Sequence, residues 1–258
     1  MTESLTKEQI AQAADYEFPY HHLIVGNVGA GNFKSYRNLN FALPYMVTAR
    51  LILSVLKDTS SKSWCDIGCG DGGMFALLGR DSLEIVKKGI DFDQRSIELA
   101  SLLNDASCSF QRVDILEKSY NPALFELVTL IEVFEHIPPT IAERFLARVG
   151  EHVEVGGSLV ITVPHKNQRK PVKHFRHFDI EEMSNVCRKA LPNFEIHQVY
   201  GFNVKNLLER FVKGVLRTKY LFLEIPGLNR RRLERQMKAI PVNEKHCQQI
   251  FLRLTKTA

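Results

Sequence analysis

The segment Trp64-Cys65-Asp66-Ile67-Gly68-Cys69-Gly70-Asp71-Gly72-Gly73 constrains this chain more than any other. An apolar run ends in a carboxylate, evenly spaced glycines follow, and a helical pattern starts near Gly73. Glycine lets the backbone turn sharply and lets a ligand approach without a Cβ in the way, while the N-terminus of the next helix offers unpaired N–H groups. A dinucleotide site would read G-x-G-x-x-G, usually with no acid just ahead of it. Here the order is D-x-G-x-G-x-G, and the leading carboxylate favours a ligand that carries a cationic amine.

Around this turn, short apolar runs alternate with helical periods. Ser63 to Ile67, Lys88 to Phe92, Ser109 to Ile115, Leu127 to Phe134 and Ser158 to Val163 are expected to be strands, with helices at Ser96 to Leu103 and Ile141 to Val149. Residues 194–202 and 247–254 add two β-rich segments. This βαβ alternation predicts an α/β fold, a parallel sheet with helices on both faces that binds ligands beyond the carboxyl ends of its strands. An earlier helix is expected to open at Pro44 and run to about Lys57.

Composition sets outer bounds. With 258 residues, 45% of them hydrophobic and 24% charged, a sizeable core is available. The longest apolar stretch, Phe41 to Leu56, is interrupted by Pro44 and Arg50 and falls short of the about 20 residues a membrane span needs. The polar start, Met1 to Gln9, lacks the basic-then-apolar order of a secretory signal, which predicts a cytoplasmic protein. Five cysteines without paired spacing are expected to be reduced thiols. Net charge is +5, but Lys205 to Lys245 holds eleven Lys/Arg against four Glu, so the excess is local. A second basic cluster, Lys166, Arg169, Lys170, Lys173 and Arg176, follows a predicted strand and favours an anionic partner more than a modest global excess would, the alternative being a solvated surface that aids solubility.

Four successive strand ends carry ligand chemistry. After Asp66 comes Gly89-Ile90-Asp91-Phe92-Asp93, which puts Asp91 where a carboxylate accepts both ribose hydroxyls. Val113-Asp114-Ile115 offers an acid to an exocyclic amine. Leu130-Ile131-Glu132-Val133-Phe134-Glu135-His136 brings acid and imidazole to the same rim.

On these motifs, residues 62–202 resemble the class I S-adenosylmethionine-dependent methyltransferases. The resemblance implies a Rossmann-like, doubly wound, mostly parallel seven-stranded sheet, with an N-terminal cap segment and a helical insertion before the last strand. It implies S-adenosyl-L-methionine as cofactor, its methionine part cradled by the turn through Asp66, Gly68, Cys69 and Gly70. Asp91 would bind ribose, Phe92 would lie beside adenine, and Asp114 with Ile115 would contact adenine. Glu132, in the E-V-x-E-H-I segment, joins the cofactor set, and Gly156 to Pro164 matches the family's later G-G-x-L-x-I-T-V-P run.

Methyl transfer from a sulfonium to a hydroxyl needs an in-line nucleophile and a group that removes its proton. His136 is the first candidate, though in many family members the equivalent His only shapes the pocket. His174 and His177 follow, in a segment resembling the family's H-x-R-H-F-[ST]-x-E-E-L pattern, where Asp179 and Glu182 have the spacing of a capping box. Glu132, Glu135, His136 and His174 together are similar to the ligand set of metal-dependent RNA 3′-end 2′-O-methyltransferases. The aromatic-acid-tryptophan run of those enzymes is missing here, so the expectation is no bound metal and no nucleic-acid partner.

The expected organisation is a cap over residues 1–60, a cofactor-binding core over 61–202, a basic amphipathic insertion over 203–246 and a final core strand over 247–258. In the cap, Tyr16 to His22 looks like a lead-in of bacterial methyltransferases that modify surface polysaccharides or small molecules, or else is an aromatic staple. In the insertion, Val204, Leu207, Leu208, Phe211, Val212, Val215 and Leu216 recur at helical spacing. That stripe suits packing on the same chain or on a second copy, as in a homodimer; its rival is peripheral contact with an anionic membrane. The expected activity is O-methylation of a small-molecule or glycan-type acceptor, anionic or lipid-linked. The rivals are an RNA 2′-O-methyltransferase and a cofactor-binding module without catalysis.

Overall fold

The computed structural model describes residues 7, 18–35, 39–79, 84–204 and 227–258. Two short antiparallel strands, β1 (Ile24–Asn27) and β2 (Asn32–Ser35), lead into α1 (Leu39–Thr59). The chain then runs through β3 (Ser63–Ile67), α2 (Gly73–Gly79), β4 (Val86–Asp91), α3 (Gln94–Leu103), β5 (Cys108–Arg112) and β6 (Phe125–Ile131). It continues through α4 (Ala142–Gly150), β7 (Val153–Pro164), α5 (Ile180–Ala190), β8 (Phe194–Val204), α6 (Leu228–Lys238) and β9 (Cys247–Lys256).

Seven strands form one sheet in the order β5-β4-β3-β6-β7-β9-β8, parallel except for β9, which is antiparallel to both neighbours. Alternation along each strand separates two cores. Trp64, Leu127, Val160 and Phe251 pack with Met46 and Ile52 of α1, Phe75 of α2 and Leu233 of α6. Their strand neighbours Cys65, Val128, Leu159, Ile161 and Leu252 pack on the opposite face with Phe145 and Leu146 of α4 and Met183 and Cys187 of α5. A sheet covered on both sides needs strands that are apolar throughout, which is how β6 reads.

The structure moves several expected boundaries. α1 starts at Leu39 rather than Pro44, which lies inside the helix. β5 ends at Arg112, three residues before Ile115, because the Asp114 carboxylate accepts the Leu116 N–H at 2.9 Å and turns the chain. β6 ends at Ile131 rather than Phe134: Glu132 takes the left-handed φ of 52°, and Phe134–His136 forms one 3-10 turn. β7 begins five residues before Ser158, at Val153. The capping box at the start of α5 forms as its spacing predicts. All five cysteines are free. Among the described residues, no helix is long and apolar enough to cross a membrane. The apolar stripe Leu207 to Leu216 lies outside the described residues.

Strand order sets the place of the site. From β3 the chain steps outward through β4 to β5, then returns to place β6 on the other side of β3. A crevice opens at such a reversal, beyond the carboxyl ends of the strands. The loops after β3, β4, β5 and β6 therefore share one edge of the sheet.

Candidate active site

The turn after β3 is held by β4. Gly68 and Cys69 donate their N–H groups to the Ile90 carbonyl at 2.7 and 3.1 Å. Gly68 and Gly70 have φ of +75° and +55°, and a Cβ on Gly68 would lie 2.4 Å from a methyl carbon of Val133, just past the end of β6, so that close approach requires glycine there. The buried Asp91 accepts the Gly70 N–H on Oδ2 at 2.9 Å and the Asp93 N–H on Oδ1 at 3.0 Å. Each carboxylate oxygen has two lone pairs, so Asp91 keeps acceptor capacity for a ribose hydroxyl. Burial pushes the Asp91 carboxyl up to about 6, against the pull of those two N–H groups.

Asp66 ends a buried relay. The indole Nε1 of Trp64 donates to Thr129 Oγ1 at 2.9 Å, and that hydroxyl donates to Asp66 Oδ1 at 2.5 Å. Burial pushes Asp66 up to about 7; the Thr129 hydrogen bond pulls the other way and the charge of Asp91 adds to the rise. A cationic group arriving here would restore the ionised form.

The N-terminal segment is fastened to the same turn. Asp71 Oδ2 accepts the His21 N–H at 3.0 Å, Oδ1 lies 2.7 Å from the His21 ring Nδ1, and His22 Nε2 lies 2.8 Å from the Asp71 carbonyl oxygen. The His21 ring stacks on Tyr45 of α1 at 4.9 Å between centroids. Part of the aromatic and His-rich lead-in thus acts as a clamp on the glycine turn.

The other expected adenine contacts fall differently. Phe92 is exposed beside Asp91, open to a ring stacking on it. Asp114 is exposed and already caps the following turn. Ile115 is 3% exposed within the core, and its carbonyl accepts Arg148 Nε at 2.9 Å.

Beyond β6, acids and imidazoles gather. Phe175 donates its N–H to the Glu135 carbonyl at 2.9 Å and thereby brings the loop after β7 onto the 3-10 turn. His136 and His174 then meet edge to face at 4.6 Å, and His174 Nδ1 lies 2.8 Å from His177 Nε2. His136 Nδ1 lies 2.9 Å from the Lys173 carbonyl, and its Nε2 lies 3.9 Å from Glu135 Oε1. Burial, with the neighbouring His136 and His177, pushes His174 down to about 3, and burial also lowers His177. Burial raises both Glu132 and Glu135, and the proximity of Glu132 raises Glu135 further. His136, His174 and His177 thus lie side by side.

The basic cluster after β7 is largely occupied within the fold. Lys166 pairs with Asp179 and Glu182, Lys170 donates to the His174 carbonyl, and the Arg176 guanidinium lies over Phe134 and Phe178 at 5.2 and 4.8 Å. Lys166 is thereby neutralised, whereas Lys170 and Arg176 keep their positive charge.

A family profile described as a methyltransferase domain matches residues 42–200. The chain belongs to this family. The methyltransferase is similar to the ubiquinone biosynthesis O-methyltransferase of Neisseria meningitidis serogroup A, at 31% identity over 119 residues, 43% of this chain and 48% of that protein. It spans about half the length of the curated relatives it matches. Among solved structures it resembles the plantazolicin methyltransferase BpumL in complex with a pentazolic desmethylPZN analog and S-adenosylhomocysteine (TM-score 0.56, 14% identity, 84% of this chain and 86% of that one). It also resembles the [4+2]-cyclase SpnF (TM-score 0.58, 17% identity, 99% and 98%). At these identities the likeness is one of fold. Its fold is that of the class I, S-adenosylmethionine-dependent methyltransferases.

Sequence reasoning passed over two parts of this site. Thr129 is a polar residue in the otherwise apolar run Leu127 to Ile131, a signal that a buried partner exists without saying which. Asp71 is a variable position of the glycine motif, yet fully buried, and only the path of residues 18–23 shows what it holds.

Proposed function

We propose that this methyltransferase moves the methyl group of S-adenosylmethionine to an oxygen of a small-molecule or glycan-type acceptor. The observation that carries this reading is the imidazole cluster of His136, His174 and His177 at the carboxyl end of β6, beside the turn expected to hold the cofactor. In this reading Asp91 holds the ribose diol, Asp66 and the turn through Gly68, Cys69 and Gly70 take the methionine part, and Phe92 flanks adenine. Glu132 closes the cofactor side, and Asp114 and the Ile115 backbone border the adenine. Neutral His136, with His174 packed against it, accepts the proton that the acceptor hydroxyl loses as its oxygen attacks the methyl carbon, and the sulfonium leaves as a neutral thioether. The relatives named as O-methyltransferases support oxygen as the methyl acceptor.

The test is release of S-adenosylhomocysteine from labelled cofactor with a panel of phenols, catechols and saccharides, beside RNA and protein pools. Turnover on a hydroxylated small molecule, reduced at least about a hundredfold by His136→Ala or His174→Ala, is the expected result. Tight cofactor binding without turnover on any pool would mean a binding module, and turnover on RNA alone would move the assignment to a nucleic-acid enzyme.

A further inference from the structure

With the loops after β3 and β4 given to the cofactor, the edge over β6, β7, β9 and β8 is left for the acceptor. β9 runs against its neighbours, so its first residues stand at the edge where β7 and β8 end. Polar side chains line up there. Glu132 follows β6 and donates its N–H to the Thr162 carbonyl of β7 at 3.0 Å. Thr162 pairs with Phe251 of β9, and Gln249, two residues earlier on the same face of that strand, pairs with Phe202 of β8. Asn203 comes next, in the left-handed conformation with φ of 58°, and its Nδ2 donates to Gln249 Oε1. Thr162, Asn203 and Gln249 are all buried. Burial raises the Glu132 carboxyl, and the nearby Gln249 and Thr162 side chains draw it back down.

Three oxygens of this row, Glu132 Oε1, Thr162 Oγ1 and Asn203 Oδ1, are buried with no hydrogen-bond partner among the described residues. Single buried polar atoms without a partner are uncommon, and three along one sheet edge call for a ligand that pairs them. Amide and carboxylate oxygens only accept, and a threonine hydroxyl both donates and accepts. The missing partner must therefore donate hydrogen bonds. Hydroxyl groups do so; an ionised carboxylate, a phosphate or a quinone carbonyl does not. The row crosses four strands about 4.8 Å apart, so its backbone spans roughly 14 Å, more than the two oxygens of a catechol can serve. We propose that Thr162 and Asn203, with Glu132 at the inner end of the row and Gln249 orienting Asn203, recognise the methyl acceptor through several of its hydroxyl groups, which makes that acceptor a saccharide. The role as an acceptor site rests on the methyl-transfer reading above; the preference for hydroxyl donors rests on the row alone.

The probes are D-glucose, L-rhamnose and maltose, set against catechol. Each is titrated into the S-adenosylhomocysteine complex and followed by saturation-transfer difference NMR, and each is also assayed for S-adenosylhomocysteine release from labelled S-adenosylmethionine. At least one saccharide is expected to bind. Thr162→Val and Asn203→Gly should each weaken that binding at least about tenfold, while Gln198→Ala, at an exposed position of β8, changes nothing. The Thr162 hydroxyl has no partner in the fold, so Thr162→Val should leave thermal stability unchanged or raised. Asn203→Gly keeps the left-handed backbone; should it fail to fold, Thr162→Val decides alone. A row that is structural, or filled by buried water only, would leave saccharide binding untouched in both variants. That outcome, or no saccharide binding at all, would overturn the proposal. Turnover of catechol without saccharide binding would do so while the methyl-transfer reading stands. Saccharide binding without S-adenosylhomocysteine release on any probe would sink the methyl-transfer reading and leave the hydroxyl-binding row.

Discussion

Asp71 grips His21 with both carboxylate oxygens, Oδ2 on the backbone N–H at 3.0 Å and Oδ1 on the ring Nδ1 at 2.7 Å. The residue that closes the glycine turn therefore also fastens the segment ahead of the sheet. A Cβ on Gly73 would lie 2.3 Å from the His21 Cβ, so the helix that follows the turn starts against that same histidine. The glycine turn and the N-terminal segment are thus joined through one carboxylate.

His21 is the chief cause holding Asp71 below the usual carboxylate range against its burial. A carboxyl with a depressed folded-state pKa stabilises the protein above its unfolded value, about 3.9, and loses that contribution as pH falls through the folded one. Asp71→Asn should cost about 1–3 kcal/mol at pH 7, and the gap to the parent should narrow as pH falls below about 3.9. Denaturant unfolding at a series of pH values checks it; a gap that stays constant would show that the charge plays no part.

Asp91→Ala removes the acceptor meant for two ribose hydroxyls and also frees the Gly70 N–H. S-adenosylhomocysteine should bind at least about tenfold more weakly, roughly 1.4 kcal/mol. Calorimetry that gives an unchanged affinity would remove Asp91 from the cofactor site.

Asp66 and Asp91, pushed up to about 7 and about 6, are partly protonated near neutrality. If a cationic amine and a ribose diol select their ionised forms, cofactor binding expels protons. Affinity for S-adenosylhomocysteine should fall as pH drops from about 8 to 5.5, and calorimetric heats should vary with the ionisation enthalpy of the buffer. Equal heats in phosphate and Tris at pH 6.5 would contradict this.

Thr129→Val keeps the shape of the side chain but leaves the Trp64 indole N–H without its acceptor and Asp66 without its donor. A loss of about 1–3 kcal/mol in unfolding free energy is expected, with a further rise of the Asp66 carboxyl that weakens cofactor binding at neutral pH. Thr129→Ser restores the hydroxyl and should recover most of both.

Much of this was legible in the chain because it depends on local rules. The strand-turn-helix at Asp66 to Gly73 follows from glycine spacing, and the Asp179 and Glu182 box from the geometry of one helical turn. The errors sit where side chains redirect the backbone: Asp114 ends β5 by capping its own loop, and Glu132 ends β6 in a left-handed conformation. Neither event leaves a mark on hydrophobic periodicity.

By itself the sequence determined the parallel α/β sheet and the edge at which its ligand-bearing loops meet, since period and strand order are written locally. The tertiary structure decided which groups touch. His21 and Asp71 are fifty positions apart, and Glu135 and His174 thirty-nine. Hydrogen bonds such as Phe175 to the Glu135 carbonyl, formed only after the sheet is assembled, bring the last two together. Burial then left Glu132 Oε1 and both Glu135 oxygens without a hydrogen-bond partner. Burial is a property of the packed chain, and no spacing of residues along it encodes that property alone.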